Sequence, residues 1–165
     1  MLIIAPSARV SPLADIEDSR RGTRIVIEDD VVIDAFVKLK PAGGEGDVII
    51  GRGTVINSGC VLYTGNGIHI GGNVLIAANC TLAPTNHAFM DPDRLIRDQG
   101  FQPSRGGIHI SDDVWIGANC VLLDGTSIGS GSVIGAASLL RGTLPAYCVA
   151  HGTPATVHGW RKKQR

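Results

Sequence analysis

Aromatic residues are scarce in this 165-residue chain, at 4%: two Trp, two Tyr and three Phe. Hydrophobic residues still reach 44%, so a core has to be built from aliphatic side chains. An excess of either charge is also missing. Fifteen Lys and Arg balance fifteen Asp and Glu, for a formal net charge of zero. With no basic field to gather it, nucleic acid is not an expected partner. No apolar run reaches the ~20 residues of a membrane span, so no integral membrane segment is expected. Met1-Leu2-Ile3-Ile4-Ala5-Pro6 lacks the charged start and the length of a secretory leader. The expected compartment is cytoplasmic. Cys60, Cys80, Cys120 and Cys148 stand far apart without a CxxC pair, which argues against a disulfide framework or structural zinc. Neither a Walker loop nor a GxGxxG fingerprint is present, so no nucleoside triphosphate or NAD is implied.

Glycine, by contrast, is abundant at 22 residues, which implies many turns. The turns belong to a repeat. Ile110, Ile116, Leu122, Ile128, Ile134 and Leu140 recur at every sixth position. Gly follows several of them, as in Ile116-Gly117, Ile128-Gly129 and Ile134-Gly135. A small or β-branched residue stands four positions on: Val114, Cys120, Thr126, Ser132 and Ser138. The same register appears upstream in threes: Ile70, Ile76, Leu82; Ile50, Ile56, Leu62; Ile27, Ile33, Leu39; and, more weakly, Ile4, Val10, Ile16.

A period of six fits neither the 3.6 of a helix nor the two of a simple sheet. It fits short strands joined by tight turns, three to a coil, like the sides of a triangular prism. Each side spans roughly 20 Å, and equivalent residues stack at ~4.8 Å. The expectation is an all-β parallel β-helix of about six coils of three hexads. Irregular segments interrupt it near 17–24, 40–48, 63–69 and 84–108, the longest after the fourth coil. The first aliphatic and the small fifth residue of each hexad point inward. Cys60, Cys80 and Cys120 occupy the fifth position and are therefore expected to be small core residues. The domain is expected over 1–152 with the loop 84–108 inserted, followed by a short C-terminal tail, 153–165.

Hexads of this form resemble those of the hexapeptide-repeat acyltransferases, most specifically over residues 68–155. Pro84-Thr85-Asn86-His87 is similar to the family's catalytic histidine segment. Asp113-Val114-Trp115-Ile116-Gly117 is similar to the hexad where the chain re-enters the prism. Ile134-Gly135-Ala136-Ala137-Ser138 and Gly152-Thr153-Pro154-Ala155 are similar to its coenzyme A end. The resemblance implies a left-handed helix, a homotrimer with sites between neighbouring prisms, and acetyl-CoA as co-substrate without a metal. It is greatest to sugar O-acetyltransferases that modify polysaccharide, lipopolysaccharide or exopolysaccharide precursors.

His87 is the candidate catalytic residue. From the residues alone it is either a solvated loop histidine or a base; the resemblance selects the base. Acyl transfer to a hydroxyl needs one, because a sugar hydroxyl is a poor nucleophile at neutral pH. The acceptor supplies the oxygen, so direct transfer without an acyl-enzyme is expected. Gln102 stands where some relatives carry an orienting Glu, leaving Asp91, Asp93 or a backbone carbonyl for that role. Asn57, Tyr63, Asn66 and Asn86 are candidates for the acceptor. Trp115, Ala118, Ala136, Arg141, Gly152 and Pro154 are candidates for coenzyme A.

Relatives often carry an Arg shortly after the GxPA motif. Thr156 stands there instead, with Arg161, Lys162, Lys163 and Arg165 in a basic tail beyond. Loop residues Asp91, Asp93, Arg94, Arg97, Asp98 and Arg105 are read as solvent-exposed or as a flap over the acceptor. His69 and His109 share the hexad phase of His87, and all three are expected near one corner. That phase motivates a zinc reading akin to β-helical carbonic anhydrases. The same prism also suits an amino-sugar N-acetyltransferase or a non-catalytic scaffold.

Overall fold

A computed structural model describes residues 1–161; Lys162, Lys163 and Arg165 of the basic tail lie outside the described residues. The chain winds into stacked coils of three short strands. These are β1 (Leu2–Ile4), β2 (Arg9–Val10) and β3 (Asp15–Ile16); β4 (Ile25–Ile27), β5 (Val32–Ile33) and β6 (Lys38–Lys40); β7 (Val48–Ile50), β8 (Val55–Ile56) and β9 (Val61–Tyr63); β10 (Ile68–Ile70), β11 (Leu75–Ile76) and β12 (Thr81–Ala83). After the long loop come β13 (Ile108–Ile110), β14 (Trp115–Ile116) and β15 (Val121–Leu123), then β16 (Thr126–Ile128), β17 (Val133–Ile134) and β18 (Leu139–Leu140). A partial seventh coil holds β19 (Thr143–Leu144) and β20 (Cys148–Gly152), and β21 (Ala155–Trp160) follows. The strands stack into three sheets of seven, eight and six members, termed faces 1, 2 and 3.

The register of these sheets is the hexad made physical. Ile27, Ile50, Ile70, Ile110 and Ile128 stack on face 1. Ile33, Ile56, Ile76, Ile116 and Ile134 stack on face 2. Face 3 carries Leu39, Leu62, Leu82, Leu122 and Leu140. All fifteen are at most 2% exposed. Each such burial contributes about 1.5–3 kcal/mol relative to leaving the side chain in water. The small fifth-position residues line the prism's inner edges. Cys60, Cys80 and Cys120 form a buried ladder, their thiols donating to the carbonyls of Ala77, Gly117 and Gly135 at 3.1, 3.2 and 3.2 Å. The neighbouring Cys120 thiol pulls Cys80 down, but Cys60 and burial outweigh it and push Cys80 up to about 11. Cys80 and burial likewise raise Cys120. These are core thiols, as the hexad phase implies.

Two of the three edges turn by a fixed device. At edge 1–2, Asp30, Gly53, Asn73, Asp113, Gly131 and Tyr147 adopt left-handed backbone; at edge 2–3, Phe36, Gly59, Asn79, Asn119 and Ala137 do so. Their φ values lie between 56 and 73°. Gly, Asn and Asp adopt this conformation at least cost, and they fill most of these positions.

The C-terminal tail contains a strand. Residues 155–160 form β21, antiparallel to β20 on face 2. The last coil would otherwise leave the backbone groups of β20 as an open sheet edge, and β21 covers it. The partial seventh coil also goes beyond the six expected. Its signal is weakened because Leu144 follows Leu140 after four residues, not six, and because Ala150 stands where an aliphatic is expected.

Candidate functional site

Among the described residues, edge 3–1 carries the insertions. Segments 17–24, 41–47, 64–67 and 84–107 stack there, one coil above the next. They lie in close contact: a Cβ on Gly44 would stand 2.2 Å from the Gly65 carbonyl oxygen, and one on Gly46 2.1 Å from the Gly67 nitrogen. Only glycine permits that approach. Thr85 Oγ1 donates to the Gly43 carbonyl at 3.4 Å, tying the base of the long loop to the insertion two coils below.

His87 sits at the start of the long loop with its side chain exposed. Its strand-like segment pairs antiparallel with the returning chain at Phe101. The Gln102 amide donates to the Asn86 carbonyl at 2.8 Å, and the Ala88 amide to the Gly100 carbonyl at 3.0 Å. The imidazole lies 4.8 Å from the Phe101 ring, tilted by 36°. His87 is thus held by backbone pairing on both sides and by an aromatic neighbour. It lines a cavity of about 330 Å³ with Tyr63, Thr85, Ala83, Ala42, Gly43 and Phe101. Among the described residues no side chain hydrogen-bonds the imidazole. Asp91 is occupied within the loop, where its carboxylate accepts from the Asp93 amide at 3.0 Å. Gln102 contributes through its amide.

The remaining candidates divide. Tyr63 shares the His87 cavity. Asn86 faces the other way, into a cavity of about 270 Å³ that also holds Phe89, Gln102, Arg105, Asp124 and Arg141. Asn66 is committed to the scaffold: its Nδ2 donates to Asp124 Oδ2 at 3.1 Å. Asn57 donates to the Ile76 carbonyl at 2.8 Å, bridging to the next coil, and does not line the His87 cavity. Trp115 stands 53% exposed on face 2, between Leu75 and Val133. Ala118 and Ala136 lie on edge 2–3, and Gly152 and Pro154 at the turn between β20 and β21. Within one prism, therefore, Arg141 shares edge 3–1 with the His87 loop, whereas Trp115, Ala118 and Ala136 lie elsewhere.

The three-histidine expectation is corrected. His69 and His109 stack on face 1 with ring centroids 6.1 Å apart, and His109 Nε2 lies 2.9 Å from the Gly106 carbonyl oxygen. His87 lines a different cavity from the one that His69 and His109 share, and its backbone pairs with Phe101. Among the described residues no three His, Cys, Asp or Glu side chains are placed to hold a metal ion, so the zinc reading finds no ligand set. Arg161 is also placed differently from a free tail: its guanidinium donates to the Gly131 carbonyl at 2.8 Å and to Asp113 at 3.2 Å.

Sequence reasoning missed Asp124. This residue is 4% exposed and accepts from the Arg105 amide at 2.8 Å, the Gly107 amide at 2.9 Å and Asn66. It fastens the returning end of the long loop to edge 3–1. A charged residue directly after Leu122-Leu123, at the one edge where insertions gather, was the available signal.

Comparisons with known proteins fit this architecture. The bacterial transferase hexapeptide (six repeats) model matches residues 107–142. No curated protein matches the sequence. Among solved structures, the hexapeptide-repeat-containing acetyltransferase VCA0836 of Vibrio cholerae is 30% identical, with a TM-score of 0.64 over 76% of this chain and 68% of that one. The same protein complexed with acetyl coenzyme A is 31% identical, with a TM-score of 0.65 over 75% of this chain and 66% of that one. AntD, an N-acyltransferase from Bacillus cereus in complex with dTDP and coenzyme A, superposes with a TM-score of 0.77 at 23% identity, over 94% of this chain and 83% of that one. The polySia-specific acetyltransferase NeuO superposes at 0.62 and 24% identity, over 100% and 90%. Stacked hexads of parallel strands, the loop at edge 3–1 and the likeness to an acetyl-CoA-bound relative lead to one conclusion: this chain belongs to the hexapeptide-repeat acetyltransferases, left-handed β-helical enzymes that transfer an acyl group from coenzyme A.

Proposed function

We propose that this enzyme acetylates a sugar hydroxyl by direct transfer from acetyl-CoA, with His87 as general base. The observation that carries the reading is an exposed imidazole, pinned by backbone pairing and by Phe101, lining a cavity at the edge where the insertions gather. Acetyl-CoA supplies the activated acyl group. His87 accepts the proton of the acceptor hydroxyl as its oxygen bonds to the acyl carbon, and returns a proton to the departing sulfur. Tyr63 and Thr85 offer hydroxyls to orient the sugar. The residues present fit coenzyme A at the C-terminal side of the edge. Arg141 and Arg105 line that cavity, and neither guanidinium has a partner among the described residues. Paired guanidinium groups suit phosphates.

Choosing hydroxyl over amine rests on the cavity's chemistry. Among the described residues no carboxylate lines the His87 cavity to hold the ammonium form in which an amine arrives at neutral pH. A neutral hydroxyl carries no such requirement. N-acyl transfer is the second reading, and the fold shared with AntD keeps it in view.

The enzyme is proposed to act as a homotrimer. Phe89, Met90, Leu95 and Ile96 stand more than half exposed on the long loop, and Leu75 and Trp115 form an uncovered apolar ladder on face 2. A second prism would cover such surfaces, and would bring Trp115, Ala118 and Ala136 of one subunit toward His87 of another. Thiol release from acetyl-CoA with a panel of sugars, followed by mapping of the product, tests the proposal. Esters at a hydroxyl are expected. Amides as the sole products would establish the N-acyltransferase instead.

A further inference from the structure

A second, larger cavity opens below the His87 cavity on the same edge. Its volume is about 790 Å³, and it is lined by Glu17, Asp18, Arg20, Arg21, Pro41 and Phe101, among others. It shares Ala42, Gly43 and Phe101 with the His87 cavity, so the two form one groove along edge 3–1. Four charged side chains line this lower part, and their pairing decides its character.

The two carboxylates are already matched. Glu17 accepts an ion pair from Lys40 at 3.1 Å, and Asp18 one from the Met1 ammonium at 3.0 Å. Asp18 also accepts the Ser19 amide at 2.8 Å, and the ammonium together with this amide holds its carboxyl below the ordinary range. The two arginines are not matched. Arg21 is tied only through its backbone amide, which donates to Ser19 Oγ at 3.1 Å. Among the described residues neither the Arg20 nor the Arg21 guanidinium has a hydrogen-bond or ion-pair partner. The lower cavity therefore presents two free guanidinium groups next to carboxylates that are already neutralised. It is a cationic end to a groove whose upper part holds the base.

We infer that Arg20 and Arg21 bind an anionic group on the acceptor, so that the substrate is a sugar bearing a phosphate, a diphosphate or a carboxylate, held with its hydroxyl at His87. The inference rests on the reading of edge 3–1 as the acyl-transfer site and adds the class of acceptor to it. Guanidinium forks match phosphate and carboxylate oxygens in paired hydrogen bonds. Two of them lining one cavity suit a diphosphate in particular. The contact lies away from the reacting atoms, so it contributes to binding and not to the proton transfer.

The test compares the wild type with the Arg20→Gln/Arg21→Gln double variant in two assays. Both side chains are exposed and unpartnered, so the fold is not at stake. In the first assay, thiol release is followed with a neutral hexose, a hexose 1-phosphate, a hexuronate and a nucleoside-diphosphate hexose. The double variant is expected to raise KM for charged acceptors by about ten- to a hundred-fold, with kcat and the neutral hexose little changed. A rise confined to the phosphorylated acceptors assigns a phosphate source, and one confined to the hexuronate assigns a carboxylate. An unchanged KM for every charged acceptor overturns the inference.

The second assay needs no transfer. Pyrophosphate is titrated by calorimetry into Arg105→Gln/Arg141→Gln protein, which removes the upper arginines, with and without the Arg20 and Arg21 substitutions. Salt-sensitive binding lost with Arg20 and Arg21 supports the cationic end even if no tested acceptor is acetylated, in which case it is the transfer reading that fails. Binding that is absent, or indifferent to these two residues, overturns the anion site and leaves the transfer reading standing on the first assay.

Discussion

Two edges of this prism are built alike, coil after coil, and the third is not. From the second coil on, edges 1–2 and 2–3 turn with one left-handed residue per coil at a fixed position, and the aliphatic columns continue beneath them. Edge 3–1 takes in segments of varying length, and the His87 cavity, the arginine-lined cavities and Asp124 all gather there. The regular edges need only repetition, since each coil covers the one before it. The irregular edge is free to vary because the columns on the three faces already close the core. Stability and chemistry are thereby assigned to different parts of the same coil.

That division predicts what each part does when altered. His87→Ala is expected to lower turnover by ~10²–10⁴-fold, as for loss of a general base, with the midpoint of thermal unfolding unchanged. Steady-state rates and a melting curve check both halves, and a large drop in stability would blur the comparison. Ile76→Ala, in the middle of the face 2 column, is expected to cost ~2–5 kcal/mol in chemical denaturation. A cost below that range would mean that the columns do not carry the fold.

Asp124→Ala lies between the two regions. It leaves the Arg105 and Gly107 amides without their acceptor, for a cost of about 1–3 kcal/mol. The loss is local, so faster hydrogen exchange at those two amides is expected, with the aliphatic columns still protected. The smallest effect belongs to the thiol ladder. Cys80 is pushed up to about 11, so its protonated form is favoured in the folded state. That contribution is complete below the ordinary thiol value and is lost as pH rises toward 11. Cys60 is shifted the other way, held below the ordinary thiol value by its Cys80 neighbour, so burial is what protects all three. Alkylation of native protein at pH 8 should leave Cys60, Cys80 and Cys120 unmodified, and their rapid labelling would contradict a closed core.

The columns were legible in the sequence because one side-chain requirement recurs each six residues. Ile70, Ile76 and Leu82 announce their coil without any knowledge of neighbours. The seventh coil was hidden because its spacing contracts at Leu144 and its inward residue at Ala150 is small. β21 was hidden because its role is to cover the edge of β20, a need that exists only once the last coil is in place. At the site, the position of His87 ahead of a long loop was readable, as was the sharing of one edge by Tyr63 and His87. Hexad phase put His87 near one corner with His69 and His109, but it lines a cavity they do not share. Asn57, offered to the acceptor by hexad alignment, and Asn66, offered by its closeness in sequence, have side-chain amides that hydrogen-bond between coils. Such commitments depend on which carbonyl or carboxylate lies across an edge, and spacing along one chain does not encode that.

The central claim is that acyl transfer occurs on edge 3–1, at the cavity of His87. A crystal structure of the enzyme with coenzyme A tests it most directly. The thiol is predicted to lie at the mouth of the cavity lined by His87, Tyr63 and Phe101, with the phosphates toward Arg105 and Arg141. Coenzyme A bound with its sulfur in a cleft that no subunit's His87 lines would contradict it.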